Sequence, residues 1–187
     1  MLKHRPNART LRSVRRALLL AAALLLQPFP RAGADDDTPL QRYLAHLYLG
    51  DSREIVERMY PPLRDWPTHV VPRGKVSRIR IEAASAKSFP RTLDTMWVGM
   101  KKDRVVEILL IYDAETTREK SVEVVADELA LIYGEPKRTE TKFWWSDNDT
   151  VLRVYYTELP VLKGKEPGVE LRTTLQIMER YLFQPRD

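Results

Sequence analysis

Apolar residues recur at helical spacing in three segments of the chain, each of which opens with residues typical of a helix N-terminus. The spacing predicts a first helix over residues 38–50, closed by Gly50, and a second over residues 51–60, which together would form a helical hairpin. A longer third helix is predicted over residues 116–133 and ends at Gly134. Each predicted start carries Thr or Asp with Gln or Glu three residues later, the pattern of a capping box.

Alternating apolar and polar residues, or short apolar runs, predict six strands. The segment 105–112 is apolar at seven of its eight positions, which is typical of a central strand covered on both faces. In the hairpin that this strand forms with its predecessor, pairing Met100 with Val105 places Trp97 opposite Ile108. The predicted strands cover residues 76–83, 93–100, 105–112, 138–145, 150–157 and 169–180.

The order of elements is ααβββ followed by αβββ. We therefore predict an α+β fold, with the helical hairpin and the long helix packed on antiparallel β-meanders. Residues 35–187 are predicted to form a single domain with halves at residues 38–112 and 116–183. The halves are consistent with a decayed tandem repeat, and the general tendency of helices to end at Gly or Pro explains the likeness equally well.

Residues 1–34 have the three parts of a secretory signal peptide. A basic stretch precedes a wholly apolar run, and Ala32 and Ala34 are small residues suited to cleavage before Asp35. The apolar run at residues 17–26 covers about 15 Å as a helix, half of a hydrocarbon core of about 30 Å. This length favours a signal peptide, and hence a periplasmic or secreted protein, over an uncleaved membrane anchor.

The charge of the whole chain does not describe the exported part. The sequence has 31 Lys and Arg against 26 Asp and Glu, a net charge of +5. Seven of the basic residues and none of the acidic ones lie in residues 1–34, so 24 basic and 26 acidic residues remain, a net charge of −2. That balance argues against nucleic acid as a partner. The absence of Cys excludes disulfides, thiolate metal sites and cysteine lipidation.

The segment LGDSREIV at residues 49–56 resembles a short pattern of small exported domains, in which Gly, a capping Ser or Thr and a following Val open a helix. The pattern is similar to that of the BamE/SmpA outer-membrane-assembly lipoproteins and of their structural relatives, the β-lactamase inhibitor proteins. The resemblance implies a helical hairpin on an antiparallel meander and a binding module without catalysis. It implies no functional residue at a particular position, and the lipidation Cys is absent here.

Candidate catalytic and metal-ligating residues are few. His46 falls in the first predicted helix and His69 in a Pro-rich linker, and neither has an acidic residue at ligand spacing. The run Asp147-Asn148-Asp149 lacks the Gly and the distant Glu of a calcium loop and predicts a turn. Nucleophile-elbow, Walker and Rossmann motifs do not occur. We therefore predict no catalytic residue, no metal site and no cofactor. The sequence does not exclude a pair of carboxylates that face each other across a cleft, as a glycosidase requires.

The hairpin of residues 138–157 carries Trp144 on a charged face. Pairing Trp145 with Thr150 would set Lys142 directly opposite Arg153, and like charges so placed favour an acidic ligand nearby. Trp, Tyr and Arg are the residues enriched at interface hot spots. The hypothesis is a binding patch; the alternative is that a helix or loop of the same domain covers Trp144. The patch consists of Lys142, Trp144, Arg153 and Tyr155.

The sequence thus predicts an exported, non-catalytic binding module of the bacterial cell envelope, with an envelope protein or an acidic ligand as its partner. Two alternatives stay open: a small envelope hydrolase that uses paired carboxylates, and an inhibitor of a secreted enzyme. After removal of the signal peptide, no segment is apolar enough to predict a membrane span.

Overall fold

The computed structural model describes residues 39–71, 76–163 and 166–183. The predicted signal peptide and its cleavage residues Ala32, Ala34 and Asp35 lie outside these ranges. The helices are α1 (Arg53–Met59), α2 (Ala114–Glu119) and α3 (Val122–Tyr133), followed near the end by a 3₁₀ turn (Arg180–Leu182). The strands are β1 (Tyr43–Leu44), β2 (Leu47–Tyr48), β3 (Thr68–Val71), β4 (Val76–Ile81), β5 (Leu93–Lys101), β6 (Arg104–Tyr112), β7 (Lys137–Arg138), β8 (Lys142–Ser146), β9 (Thr150–Lys163) and β10 (Glu166–Glu179).

Eight of these strands form one antiparallel sheet in the order β3-β4-β5-β6-β10-β9-β8-β7. Strands β3 to β6 are one meander, strands β7 to β10 are a second, and α2 and α3 connect them. The meanders meet where β10 pairs with β6. The prediction of a central buried strand is confirmed, because β6 lies inside the sheet and is buried from Val105 to Ile111.

The fold is mostly β, so the predicted α+β arrangement with a helical hairpin is wrong. Of the first predicted helix, residues 38–50, the structure describes residues 39–50, and these do not form a helix. Instead, Tyr43 pairs with Tyr48 in a two-stranded hairpin, β1–β2, that is separate from the large sheet. Its turn residues Ala45 and His46 have φ values of 49° and 63°, a left-handed conformation that a right-handed helix does not contain.

Burial explains why this segment is extended. Leu47 and Leu49 are buried in the core, whereas Tyr48 between them is 55% exposed. The hydroxyl of Tyr60, at the end of α1, donates a hydrogen bond to the carbonyl of Ala45 at 2.5 Å. Residues 47–49 therefore alternate between buried and exposed as in a strand, although the apolar residues of the whole segment have helical spacing, and packing against the sheet selects the extended form.

The second predicted helix is confirmed as α1, but the predicted long third helix is wrong because it consists of two helices, α2 and α3. Asp113 caps α2, with its carboxylate accepting from the backbone N–H of Thr116 at 2.7 Å. Ser121 caps α3, with its hydroxyl accepting from the N–H of Val124. A second cap inside the segment interrupts the helix, since the capping residue itself has extended backbone angles. The predicted end at Gly134, with φ of 77°, is confirmed.

The hydrophobic core lies on one face of the large sheet, beneath α1, α3 and the β1–β2 hairpin. Trp145 of β8 is 2% exposed there, and its indole N–H donates to the carbonyl of Gly134 at 2.8 Å, which ties the end of α3 to the sheet. The strand residues of this face include Ile79, Ile81, Met96, Val98, Ile108, Leu110, Leu152, Val154, Leu175 and Ile177.

A β-bulge changes the predicted pairing of β5 with β6. Met100 pairs with Val105 as predicted, but the register shifts between Gly99 and Met100. Trp97 therefore lies opposite Leu109 and not opposite Ile108. The extra residue lies in β6, so the bulge changes which residues of β6 share a face with Trp97. Trp97 is three positions from Met100, a core residue of β5, so alternation along β5 places it on the face away from the core.

The second meander also differs from the prediction. Trp145 pairs with Leu152 and not with Thr150, a difference of two residues that leaves each side chain on its predicted face. The last two predicted strands, residues 150–157 and 169–180, are longer in the structure and form a long hairpin, because β9 continues to Lys163 and β10 begins at Glu166.

Candidate functional site

The face of the large sheet opposite the core is concave. His69 on β3 and Tyr155 and Thr157 on β9 line one cavity of about 280 Å³, although four strands lie between β3 and β9. In a flat sheet, strands about 4.8 Å apart would separate these residues by roughly 24 Å. The sheet is therefore strongly curved. The register shifts between β5 and β6 contribute, since a bulge bends its strand and increases the local twist.

At the centre of this concave face, Arg78 on β4 reaches across β5 to Glu107 on β6. Gly99 lies between them, paired with Arg78 on one side and with Glu107 on the other. The Nε and Nη2 atoms of Arg78 donate to the two carboxylate oxygens of Glu107, each at 2.7 Å. A Cβ atom at Gly99 would lie 2.8 Å from Cβ and 2.9 Å from Oε2 of Glu107. The glycine thus leaves the space that this bidentate pair occupies.

Glu107 extends the network to strands β10 and β9. Its side chain is 4% exposed, and a buried carboxylate requires partners. Gln176, which is fully buried, donates from Nε2 to Oε1 of Glu107. The Oε1 atom of Gln176 accepts from Nε of Arg153 and, at 2.9 Å, from the hydroxyl of Tyr155. In each of these hydrogen bonds an N–H or O–H group faces an oxygen, so the bonds fix which end of the Gln176 side-chain amide points towards Glu107.

The network contains two guanidinium groups and one carboxylate, so its net charge is positive. Arg153 also stacks on Tyr155, with Cζ 4.6 Å from the ring centroid. Within the described ranges, no carboxylate lies within ion-pair distance of Arg153. Burial raises the pKa of the Tyr155 hydroxyl, and the charge of Arg153 opposes part of this rise. The hydroxyl therefore stays protonated at neutral pH and acts as a donor.

The structure places all four residues of the predicted patch on the concave face. Trp144 pairs with Arg153, and Lys142 pairs with Tyr155, so the predicted opposition of Lys142 and Arg153 is wrong. Arg153 and Tyr155 belong to the network around Gln176. Lys142 is exposed near the edge of the sheet, and Trp144 is half-buried, with its ring centroid 6.3 Å from that of Phe183.

A second cavity of about 350 Å³ adjoins the first on the concave face, and both are lined by Trp97 and Ile111. The Trp97 ring lies between cationic and aromatic neighbours. The His69 ring centroid is 5.3 Å from that of Trp97, and Cζ of Arg80 is 5.7 Å from the same centroid. The second cavity has two arginines in its wall, Arg80 and Arg172.

His46 and Asp147 have structural contacts elsewhere. Nδ1 of His46 lies 3.0 Å from the hydroxyl of Tyr43 within the β1–β2 hairpin. The predicted turn after β8 is confirmed: Oδ1 of Asp147 accepts from the N–H groups of Asp149 and Thr150, at 2.9 and 2.6 Å. In the part of the chain that the structure describes, no three or more His, Asp or Glu side chains are grouped to hold a metal ion. No helix in that part is long and apolar enough to cross a membrane.

Sequence reasoning missed Arg78, Gly99, Glu107 and Gln176. Two signals were present: Glu107 is the one charged residue in an apolar run, and Gly99 lies inside a predicted strand. A buried charge needs a partner, and a strand glycine often marks a close approach. Neither signal identifies the partner, since Gln176 is 69 residues away from Glu107 along the chain.

A comparison of the chain with protein-family models, with curated proteins and with solved structures found no match. These comparisons do not test the resemblance of residues 49–56 to the BamE/SmpA lipoproteins and the β-lactamase inhibitor proteins, which stays a prediction. The function of the concave face is therefore argued from its own residues.

Proposed function

We propose that the protein is an exported, non-catalytic binding module of the bacterial cell envelope, whose concave face binds a partner or ligand that carries acidic groups. The observation that carries the proposal is a network of two guanidinium groups around one carboxylate. Arg78 pairs directly with Glu107, whereas Arg153 is joined to Glu107 only through Gln176. A planar guanidinium presents several donors in a fixed geometry that matches carboxylate and phosphate groups. An acidic group would neutralise the excess positive charge of this network.

Aromatic side chains beside the network support binding. Trp144 lies opposite Arg153 on the neighbouring strand, and Tyr155 stacks beneath the same guanidinium. Rigid aromatic residues combined with Arg are typical of the positions that dominate binding free energy. The patch predicted from the sequence is therefore one margin of a larger concave surface.

The acidic residues of the concave face favour binding over hydrolysis. A glycosidase requires two carboxylates that face each other across a cleft. Glu107 is held by Arg78, and among the described residues that line the two cavities the acidic one is Asp94. The location in the envelope rests on the signal-peptide pattern of residues 1–34.

The proposal is tested by capture from an envelope extract on the immobilised full chain. We compare the wild type with Arg153→Ala, on the concave face, and with Arg53→Ala as a matched control. Arg53 is exposed on α1, outside the concave face, and pairs with Glu57 at 2.8 Å. We expect the wild type and Arg53→Ala to retain the same acidic ligand, and Arg153→Ala to bind it about tenfold more weakly, which corresponds to about 1.4 kcal/mol.

Retention should also fall with rising salt, because the contacts are ionic. Equal retention by all three proteins, with equal thermal unfolding midpoints, would show that the concave face is not the binding surface. Cleavage of a retained polymer by the wild type would instead favour the hydrolase alternative.

A further inference from the structure

The larger cavity of the concave face combines an apolar floor with charged side chains. Its volume of about 350 Å³ lies near the lower end of the roughly 300–1,000 Å³ typical of small-molecule sites. Leu159 and Val161 of β9 form one wall, and Trp97 and Ile111 form the floor. The two floor residues also line the neighbouring cavity of about 280 Å³, so the two cavities lie side by side along them. This shape suits an elongated apolar body.

Two arginines of this cavity have unused hydrogen-bonding capacity. Arg80, on β4, pairs through Nη2 with Glu82 at 2.5 Å, and Arg172, on β10, pairs through Nη1 with Glu170 at 2.6 Å. In each pair the carboxylate belongs to a residue two positions away along the chain. The Nε atoms of both arginines are buried, and neither has an acceptor among the described residues. The side chain of Arg172 is 12% exposed.

Buried donors without acceptors are rare in folded proteins, and those that occur often mark the place of a water, an ion or a ligand. A guanidinium carries five N–H donors, and the Nε donor of each of these two arginines has no acceptor among the described residues. Glu82 and Glu170 are 30% and 36% exposed, and either can turn towards water when another anion takes its place. The two arginines can thus accept a further carboxylate or phosphate.

We infer that this cavity binds a small amphipathic anion, with its carboxylate or phosphate head at Arg80 and Arg172 and its apolar body along Trp97 and Ile111. The inference rests on the proposed function, since it specifies a ligand class for the same concave face. Asp94 lines the same cavity, where its carboxylate accepts from the Thr95 hydroxyl at 3.0 Å. Its negative charge repels a bound anion. Removing this charge should therefore strengthen binding, whereas removing an arginine should weaken it.

The inference is tested by calorimetric titration of the full chain with decanoate and with decyl phosphate, below their micelle concentrations. The neutral probe 1-decanol lacks the charge, and acetate lacks the apolar body. We expect at least one of the two amphipathic anions to bind about tenfold or more tightly than 1-decanol and acetate. The stronger of the two identifies the head group.

Three variants locate the bound anion. We expect Arg172→Gln and Arg80→Gln to weaken its binding about tenfold, and Asp94→Asn to strengthen it several-fold. The control Arg53→Gln, on α1, should leave binding unchanged. If thermal unfolding shows that Arg172→Gln does not fold, then Arg80→Gln and Asp94→Asn decide the question, because their side chains are more exposed.

The inference is overturned if neither amphipathic anion binds, or if 1-decanol binds as tightly as they do. It is also overturned if the Arg80→Gln and Asp94→Asn variants bind the anion as tightly as the wild type does. If neither anion binds while capture from the envelope extract still depends on Arg153, the ligand class is wrong and the proposed function stands. If decanoate binding depends on Arg172 while capture does not depend on Arg153, the inferred ligand class holds, and the proposal that the concave face binds an acidic envelope partner is wrong.

Discussion

The buried carboxylate of Glu107 is stabilised by contacts that come from three other strands. Arg78 and Gln176 supply hydrogen bonds from either side, and Gly99 supplies space by having no side chain. Removing one partner of a buried ion pair leaves an uncompensated charge, at a cost of roughly 3–5 kcal/mol. A residue without a side chain is therefore as necessary to this network as the residues that form its hydrogen bonds.

Gly99→Ala tests this dependence at the residue scale. The added methyl would lie 2.8 Å from Cβ of Glu107 and 3.0 Å from Cγ1 of Val76, closer than carbon atoms pack. We expect the free energy of unfolding, measured with urea, to fall by about 1–3 kcal/mol. In the absence of a clash, replacing Gly by Ala usually raises stability through the unfolded state. A variant at least as stable as the wild type would therefore show that Gly99 does not protect the ion pair.

At the scale of elements, helix α3 links the two meanders and covers the core of the second. Its first turn is capped by Ser121, whose hydroxyl accepts from Val124 N–H, and its last turn is joined to β8 by the indole of Trp145. Both ends thus satisfy backbone groups that would otherwise lack partners. The same Ser121 hydroxyl donates to Glu123, which lowers the pKa of that carboxyl.

Ser121→Ala removes this cap, and Ser52→Ala is a matched control. Ser52 occupies the same N-cap position in α1, but its side chain makes no capping hydrogen bond. We expect Ser121→Ala to lower the free energy of unfolding by about 0.5–2 kcal/mol and Ser52→Ala to have a much smaller effect, both measured by urea denaturation. Equal losses in the two variants would mean that the hydroxyl of Ser121 does not stabilise α3 as a cap.

At the scale of the whole molecule, the two meanders share one core and one sheet. Strand β10 pairs with β6 over residues 174–178 and 107–111, and Ile108 lies directly opposite Ile177 in the core. Without β10, strand β6 would become a long apolar edge, which is unstable and prone to association. The concave face also requires both meanders, since its cavities combine residues of β4, β5 and β6 with residues of β9 and β10.

The predicted halves can be tested by separate expression. We expect residues 38–112 alone to be unfolded or aggregated, by circular dichroism and amide dispersion in NMR spectra, because their sheet lacks the β6–β10 pairing. The full chain should unfold in a single cooperative transition. A fragment with native-like dispersion, or two separate transitions in the full chain, would contradict the view that the meanders form one folding unit.

Local patterns predicted those features that depend on neighbours in the chain. The apolar run around Ile108 predicted a buried central strand, Gly134 predicted the end of a helix, and the period of two placed Trp144 and Tyr155 on one face. These predictions succeed because the alternation of side chains along a strand and the backbone freedom of Gly are properties of the segment itself. The charge imbalance of residues 1–34 is likewise read directly from the sequence.

Tertiary structure decided the features that depend on contacts between distant segments of the chain. The apolar residues of segment 38–50 have helical spacing, but burial of Leu47 and Leu49 in the core selected the extended form. The bulge in β6 set Trp97 opposite Leu109 and not opposite Ile108, and the curvature of the paired strands brought His69 and Tyr155 to one cavity. Long-range pairing and sheet curvature arise from the combined contacts of segments far apart in the chain, so no local pattern contains them. For that physical reason the sequence alone determined which faces its strands present, and only the folded sheet decided which charged side chains meet on its concave face.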